Sequence, residues 1–287
     1  MNIIVFGKNG QLAKSLRNQT DLNAQFVSSS DVNFLKPREV TNFLEGSDPD
    51  LVINCSAYTN VVAAESDENS AHKINVESVE RIAKFCAFKD IHLIHISTEL
   101  VFDGKKKQPY VESDDTNPLN VYGKTKELGE KKVLAHCKKY AILRTSWLYS
   151  HYGENFLMKI YKAALNKDAI FGVSDRHANP TSAFDLARAI NQITNQIKNG
   201  KDIKGIYHYA GSESTSRFRF IQIICEAMKE KSLINEFSIQ ESFTNTSSDG
   251  VMRPETATFD CSKIKSLVDL EQKTLKNCIN EVIDYIK

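Results

Sequence analysis

The chain has little of what marks several large classes of protein. Its 37 Lys+Arg stand against 36 Asp+Glu, so 287 residues carry a net charge of only +1. A dedicated nucleic-acid binder shows a basic excess, and none is expected as a partner here. The longest apolar runs, such as Ile3 to Phe6, fall far short of the roughly 20 residues of a membrane span, so no membrane partner is expected either. No basic-then-apolar leader opens the chain, which points to a cytoplasmic protein. The six cysteines (Cys55, Cys86, Cys137, Cys225, Cys261 and Cys278) contain no C-x-x-C pair and match neither a zinc site nor a disulfide framework. Several lie in apolar runs, where a free thiol behaves as a small hydrophobe. The seven histidines show no H-x-x-x-H or HExxH spacing, so no metal is expected.

What is present is enough apolar material for a sizeable core: 41% hydrophobic and 25% charged residues. The first 150 residues alternate short apolar runs with amphipathic stretches. The pattern predicts strands at Asn2–Phe6, Gln25–Ser28, Asp50–Cys55, Ile91–Ser97 and Tyr140–Leu143. Helices are predicted at Gln11–Arg17, from Pro37 to about Leu44, through Ile74, Val79, Ile82, Ala83 and Cys86, and over Val121–Cys137. Near-continuous apolar strands alternating with helices mean a doubly wound parallel sheet covered on both faces. The second half is less regular. It predicts helices at Phe184–Ile197, Phe218–Lys229 and Gln272–Ile286, a strand at Gly205–Ala210 and a loop at Phe243–Pro254. A boundary near 150–155 divides a dinucleotide-binding domain, 1–150, from 151–287. The latter is expected to be mainly a smaller substrate-binding domain, with some segments returning to the first.

Three local patterns carry chemistry. Gly7-Lys8-Asn9-Gly10-Gln11-Leu12-Ala13 follows the first strand; glycines there let backbone N–H groups approach a pyrophosphate at a helix N-terminus. The fingerprint is G-x-x-G-x-x-A, with Ala13 at the close-packing position. Tyr122 and Lys126 form a Y-x-x-x-K whose i,i+4 spacing puts both on one helix face. A free phenol has a pKa near 10, too high for efficient acid–base work at neutral pH, and a nearby ammonium lowers it. Ser97 and Thr98 end the fourth strand, at the sheet edge where open α/β folds bind ligands. A hydroxyl there can donate to a substrate oxygen.

Together these motifs resemble the extended short-chain dehydrogenase/reductase superfamily, and within it the dTDP-4-dehydrorhamnose reductase family. The resemblance spans nearly the whole chain, through GKNGQLA (7–13), PDLVINCSAYTNVVAAE (49–65), HISTELVFDG (95–104), NPLNVYGKTKELGE (117–130), RTSWLY (144–149), NPTSAFDLA (179–187), GIYHYAG (205–211) and MRP (252–254). It implies a Rossmann-type fold and NADPH or NADH as cofactor. The implied reaction is reduction of the C4 ketone of a dTDP-4-dehydro-6-deoxy sugar, with dTDP-4-dehydro-L-rhamnose converted to dTDP-L-rhamnose. It places Thr98, Tyr122 and Lys126 on the catalytic triad, with Lys126 also on the nicotinamide ribose. Gly7, Gly10, Gln11 and Leu12 fall on the pyrophosphate loop, Asn33 and Phe34 on the adenine contact, and Ala57, Tyr58 and Thr59 along the cofactor. Thr98, Glu99 and Trp147 fall in the sugar site. Arg253 suits the diphosphate, because guanidinium binds phosphate bidentately. A homodimer is an open expectation.

The departures lie around the pocket. The family's Thr-Asp-Tyr is Thr98-Glu99-Leu100 here, and its Val-Asp-Lys-Ala-Glu is Val61-Val62-Ala63-Ala64-Glu65. Its Asp-Gln-x-Gly-x-Pro-Thr becomes Asp175-Arg176-His177-Ala178-Asn179-Pro180-Thr181, its adenine-contact Asp is Asn33, and Ser15 replaces an interface Glu that holds a metal in some members. Asp31 is the one acid near the end of the second strand, after Ser28, Ser29 and Ser30, so NADPH and NADH both stay open. His177 and the Lys105-Lys106-Lys107 run read as solvated. Two alternatives to the reductase remain: another nucleotide-sugar reductase or epimerase of the superfamily, and a non-catalytic NADP-binding regulatory subunit.

Overall fold

The computed structural model describes residues 1–243, 250–269, 271 and 273–286. Strand β1 (Ile3–Phe6) leads into α1 (Gln11–Gln19), β2 (Gln25–Val27) into α2 (Pro37–Ser47), and β3 (Leu51–Asn54) into the short helices α3 (Val61–Ser66) and α4 (Glu68–His72). A π-helical turn over Lys73–Glu77 joins α4 to α5 (Ser78–Lys89), followed by β4 (His92–Thr98), α6 (Val121–His136) and β5 (Tyr140–Thr145). Next come β6 (Leu148–Tyr149), α7 (Phe156–Leu165), β7 (Ile170–Val173), β8 (His177–Ala178) and β9 (Thr181–Ser182). The chain continues with α8 (Ala183–Lys198), β10 (Lys204–His208), β11 (Thr215–Ser216), α9 (Arg217–Glu230), β12 (Ile239–Ser242), β13 (Thr256–Ala257) and α10 (Leu275–Asp284).

Six strands form one parallel sheet in the order β2-β1-β3-β4-β5-β10. The chain leaves β1 in one direction to make β2 and crosses back to make β3, so the order reverses between β1 and β3. Ligands of open α/β sheets bind outside the carboxyl ends of the strands at such a point. Side chains alternate across the sheet. Ile3 and Val5 join Leu12, Leu16, Leu186 and Ile190 on the α1 and α8 face. Ile4 and Phe6 join Val40, Leu44, Ile82 and Val133 on the α2, α5 and α6 face. This double burial is why β1, β3 and β5 read as unbroken apolar runs. A separate apolar cluster, including Leu157, Ile160, Phe220, Ile224, Met228 and Ile279, packs α7, α9 and α10 together.

All five strands expected in the first half are present, with ends shifted by one or two residues. Helix α7 and the short strands β6–β9 and β11–β13 carry no expectation in the sequence reading. Two-residue strands are too short to show a period. Helix α10 begins at Leu275, its N-terminus capped by Thr274, whose hydroxyl accepts the Asn277 N–H. The expected start at Gln272, and positions 244–249 of the expected loop, lie outside the described residues.

Beneath the sheet edge, Arg144 of β5 is paired with Glu130 of α6 at 2.6 Å, both side chains 3% exposed. A second guanidinium nitrogen, Nε, donates to the same carboxylate at 3.0 Å. Breaking a buried pair strands the surviving charge, which costs about 3–5 kcal/mol, whereas replacing both partners by apolar groups is often neutral. Glu130→Gln is therefore expected to lower unfolding free energy by about that amount in urea titration, with most of the loss recovered in Glu130→Leu/Arg144→Met. Equal losses in the single and double variants would mean that packing, not charge, governs this site.

Candidate active site

The loop after β1 turns at Gly7, whose φ is +91°. A Cβ there would lie 2.8 Å from the Cys55 backbone, so only glycine lets the loop sit against the end of β3. Gly10 differs. It has an ordinary extended conformation as the N-cap of α1, and a Cβ on it would meet only the Gly7 carbonyl, at 3.2 Å. No side chain caps this helix, so its first N–H groups have no side-chain acceptor and face the cleft. Such a terminus binds phosphate through its N–H groups and its dipole. The loop therefore fits the pyrophosphate of a dinucleotide.

Each position of the NVYGKTK run has a structural reason. Asn120 caps α6: its Oδ1 accepts the Gly123 N–H at 2.8 Å, and its Nδ2 donates to the Met252 carbonyl at 2.9 Å. Gly123 lets α6 touch the turn after β4, because a Cβ there would lie 2.2 Å from the Leu100 carbonyl oxygen. Gly129 does the same against the π-turn, at 2.3 Å from the Asn75 carbonyl. Asn75 in turn grips the loop after β3, its Oδ1 accepting the Tyr58 N–H at 2.9 Å and its Nδ2 donating to the Tyr58 carbonyl at 3.2 Å. Helix α6 thus delivers Tyr122 and Lys126 to the carboxyl edge of the sheet, one turn apart.

A cleft of about 980 Å³ opens there, at the upper end of the roughly 300–1,000 Å³ usual for ligand sites. Gly10, Gln11, Leu12, Ala57, Thr59, Thr98, Glu99, Tyr122, Lys126, Trp147 and Arg253 line it, whereas Gly7 is not among the lining residues. Tyr58 is not among the lining residues, and its backbone is held by Asn75. Asn33 and Phe34 are outside the cleft lining: Phe34 is buried in the core, with its ring 5.2 Å from that of Phe6, and the Asn33 side chain accepts the Leu35 N–H. Asp31 accepts from both the N–H and the hydroxyl of Ser28, at 2.8 and 2.6 Å. His177 and Arg176 also line the cleft, and Lys106 pairs with Asp114.

The buried groups control one another's protons. Lys126 is 2% exposed and donates to the Ile96 carbonyl at 2.6 Å; burial pulls its pKa down to about 8, against the opposing charge of Glu130. Tyr122 departs from expectation. Burial and the adjoining Glu99 carboxylate hold its phenol above the usual value of 10, while a hydrogen bond with Thr98 opposes them. Desolvation prevails, and the phenol is a protonated donor. Burial also raises Glu99, opposed by the Thr98 hydroxyl, by Arg217 and by the Trp147 N–H.

Arg217 was not singled out by any sequence motif. Its guanidinium lies 4.0 Å from the centre of the Trp147 ring and 4.5 Å from that of Phe156. It feels the charge of Glu99, and also those of Arg176 and Arg253. Trp147 itself has φ +40°, a left-handed conformation that costs a non-glycine residue energy and clusters at functional sites. The signal in RTSWLY is for the tryptophan; nothing local in that run points 70 residues ahead to Arg217.

A strand-end threonine and a Tyr-x-x-x-Lys helix at the switch point of a doubly wound sheet define a dinucleotide-dependent oxidoreductase of the short-chain dehydrogenase/reductase class. The model of the family described as RmlD substrate binding domain matches residues 1–287, and the chain belongs to that family. It is 33% identical over 285 residues to the dTDP-4-dehydrorhamnose reductase of Aggregatibacter actinomycetemcomitans, covering 96% of this chain and 97% of the relative. Among solved structures it is similar to a dTDP-4-dehydrorhamnose reductase from Clostridium acetobutylicum, with TM-score 0.90 and 29% identity over 100% of this chain and 99% of that one. The Bacillus anthracis dTDP-4-dehydrorhamnose reductase in complex with NADP gives TM-score 0.89 and 26% identity, covering 99% of both chains.

The two glycines separate folding from binding. Gly10→Val is expected to fold and to lose NADPH affinity in fluorescence titration, because its side chain stands over the open N–H groups. Gly7→Ala is expected to lose about 1–3 kcal/mol of stability through strain at positive φ. A folded Gly10→Val protein with unchanged affinity would place the cofactor elsewhere.

Proposed function

We propose that this protein catalyses NAD(P)H-dependent reduction of the C4 ketone of dTDP-4-dehydro-L-rhamnose to dTDP-L-rhamnose. The observation that carries the reading is convergence. Thr98, Tyr122 and Lys126 meet in one cleft that also contains the uncapped N-terminus of α1. When bound, the reduced dinucleotide supplies hydride. Everything else is done by the chain.

The phenol of Tyr122 stays protonated at neutral pH and can give its proton to the oxygen that becomes an alkoxide. Lys126, charged below about 8, contributes the nearby positive charge that favours the phenolate left behind. Thr98 is placed to donate to the same oxygen and so to stabilise its developing charge. Arg253, with Arg176, supplies cations for the diphosphate, while Trp147, Glu99 and Leu100 wall the sugar. We assign the substrate side to the α7, α9 and α10 body; α8 and β10 belong with the sheet although they lie after residue 150. Nucleotide sugar and NAD(P)H fit a cytoplasmic setting.

A panel of 4-keto sugar nucleotides, scored by loss of NAD(P)H absorbance, tests the reaction. Tyr122→Phe is expected to keep cofactor affinity and lose about 10²–10⁴-fold in kcat, the usual worth of general acid catalysis. A Tyr122→Phe enzyme with near wild-type kcat would sink the mechanism, and a wild-type protein that binds NADPH without turnover would favour a non-catalytic role. Because Lys126 must carry its charge, kcat/KM is expected to fall as pH rises through about 8. A profile flat through that range would remove the ammonium from the mechanism.

A further inference from the structure

We propose that Glu99 decides which way the Thr98 hydroxyl points, so that Thr98 can serve the substrate only while Glu99 carries a proton. The inference rests on the reductase reading and concerns regulation of that same site. A threonine hydroxyl has one proton and two lone pairs. In this structure one lone pair of Thr98 Oγ1 accepts the Leu100 N–H at 3.2 Å, and the single proton is donated to Glu99 Oε2 at 2.8 Å. Its remaining lone pair is left for the Tyr122 hydroxyl, with which Thr98 shares a hydrogen bond, and for the cleft. A ketone oxygen is an acceptor, and it becomes an alkoxide as hydride arrives, so two acceptors would face each other. The ionised carboxylate withholds the donor that the reaction requires.

Protonating Glu99 reverses the arrangement. The carboxylic acid can donate into Oγ1, whose two lone pairs are then taken by Glu99 and the Leu100 N–H, and the threonine proton turns to the substrate oxygen. The Tyr122 hydroxyl, hydrogen-bonded to Thr98, turns with it, its own proton also directed to the substrate oxygen. The groups facing Glu99 pull in opposite directions. The turn that carries it contributes the Thr98 hydroxyl and its own N–H, the segment after β5 contributes the Trp147 N–H, and α9 contributes Arg217; all favour the carboxylate. Tyr122 of α6 stands beside it, and burial at 7% exposure favours the acid and prevails. The strained φ of Trp147 accompanies an N–H directed at this carboxyl. The balance between acid and carboxylate is thus set by three separate segments.

The sign follows directly. If the acid form is active, kcat/KM is highest at low pH and falls as pH rises through the raised pKa of Glu99, separately from the fall that belongs to Lys126. We would record kcat/KM against pH for the intact enzyme with NADPH and dTDP-4-dehydro-L-rhamnose, for wild type, Glu99→Gln and Glu99→Asp. An amide at 99 keeps its oxygen toward the Trp147 N–H and Arg217 and its NH₂ toward Thr98, so Thr98 is permanently released. The expected result is an acid-side decline of about tenfold per pH unit in wild type, no such decline in Glu99→Gln, and its return in Glu99→Asp. Difference infrared spectroscopy of the ligand-free protein gives a second readout: a carboxylic acid C=O band that titrates with the activity and is missing from Glu99→Gln. A fall in that range that survives in Glu99→Gln, or a wild-type activity profile flat through the range in which the carboxylic acid band titrates, overturns the inference and leaves the reductase reading standing. Absence of turnover by wild type at every pH overturns that reading instead, and this inference with it.

Discussion

Helix α6 lies across the carboxyl end of β4 at a distance set by two missing side chains. At Gly123 and at Gly129 a single added carbon would fall 2.2 and 2.3 Å from backbone carbonyl oxygens of the facing turns. Contact that close is what allows one helix to reach the cleft with a phenol and, a turn later, with an ammonium. It also closes the π-turn onto α6, from which Asn75 holds the loop along the cleft by both backbone groups of Tyr58. Larger residues at either glycine would lift the helix off the sheet and separate Tyr122 from Thr98. The Asn120 cap fixes where the helix starts, so the i,i+4 pair arrives in register with the strand end.

The second determinant is the dryness of the edge. Lys126, Glu99, Tyr122 and Arg217 are removed from water to different degrees, and each is drawn toward its neutral form by that removal. The same burial that brings the lysine down to about 8 keeps the tyrosine protonated. A donor and a nearby cation therefore coexist without the phenol ionising in advance. Arg217 is held by two aromatic faces and feels the charge of Glu99, which positions a large cation in the cleft wall with no salt bridge to it among the described residues. The preference is for groups poised to exchange protons rather than for strong ion pairs, in contrast to the Arg144–Glu130 pair beneath them, which has no outlet to the cleft.

Length and order matter as well. The chain returns to the sheet after its second apolar body has begun, with α8 covering α1 and β10 extending the sheet beside β5. The two bodies are in this way interleaved rather than strung in sequence. Thr181 and Ser182, paired with β6, sit at the junction and lead straight into α8. An interleaved connection keeps the cleft between the bodies lined from both, since Trp147 and Phe156 reach it from one stretch and Arg217 and Arg253 from others.

Local physics is legible in the amino-acid order, and it settled a good deal. Strands buried on both faces are rich in apolar residues, so β1 and β3 are visible as the runs IIVF and LVIN; a strand-to-helix glycine turn and an i,i+4 Tyr–Lys pair need no distant partner to be recognised. Family resemblance supplied the expected roles of Thr98 and Trp147. What no run of residues contains is the proton balance of the site. Whether Lys126 depresses the Tyr122 pKa or burial raises it depends on how much water reaches both, and that is decided by α6, β4 and α9 packing together. The Phe34 ring, which the resemblance places at the adenine contact, packs on Phe6 in the core, a contact no local pattern shows. The two-residue strands β6, β8, β9, β11 and β13 have too few residues for any period, and exist because partners remote in sequence complete their hydrogen bonds. Arg217 meets Trp147 across 70 positions, and the Thr98 hydroxyl turns to Glu99 because the fold dries that corner; periodicity and spacing report neighbours along the chain, whereas burial and charge depend on neighbours in space.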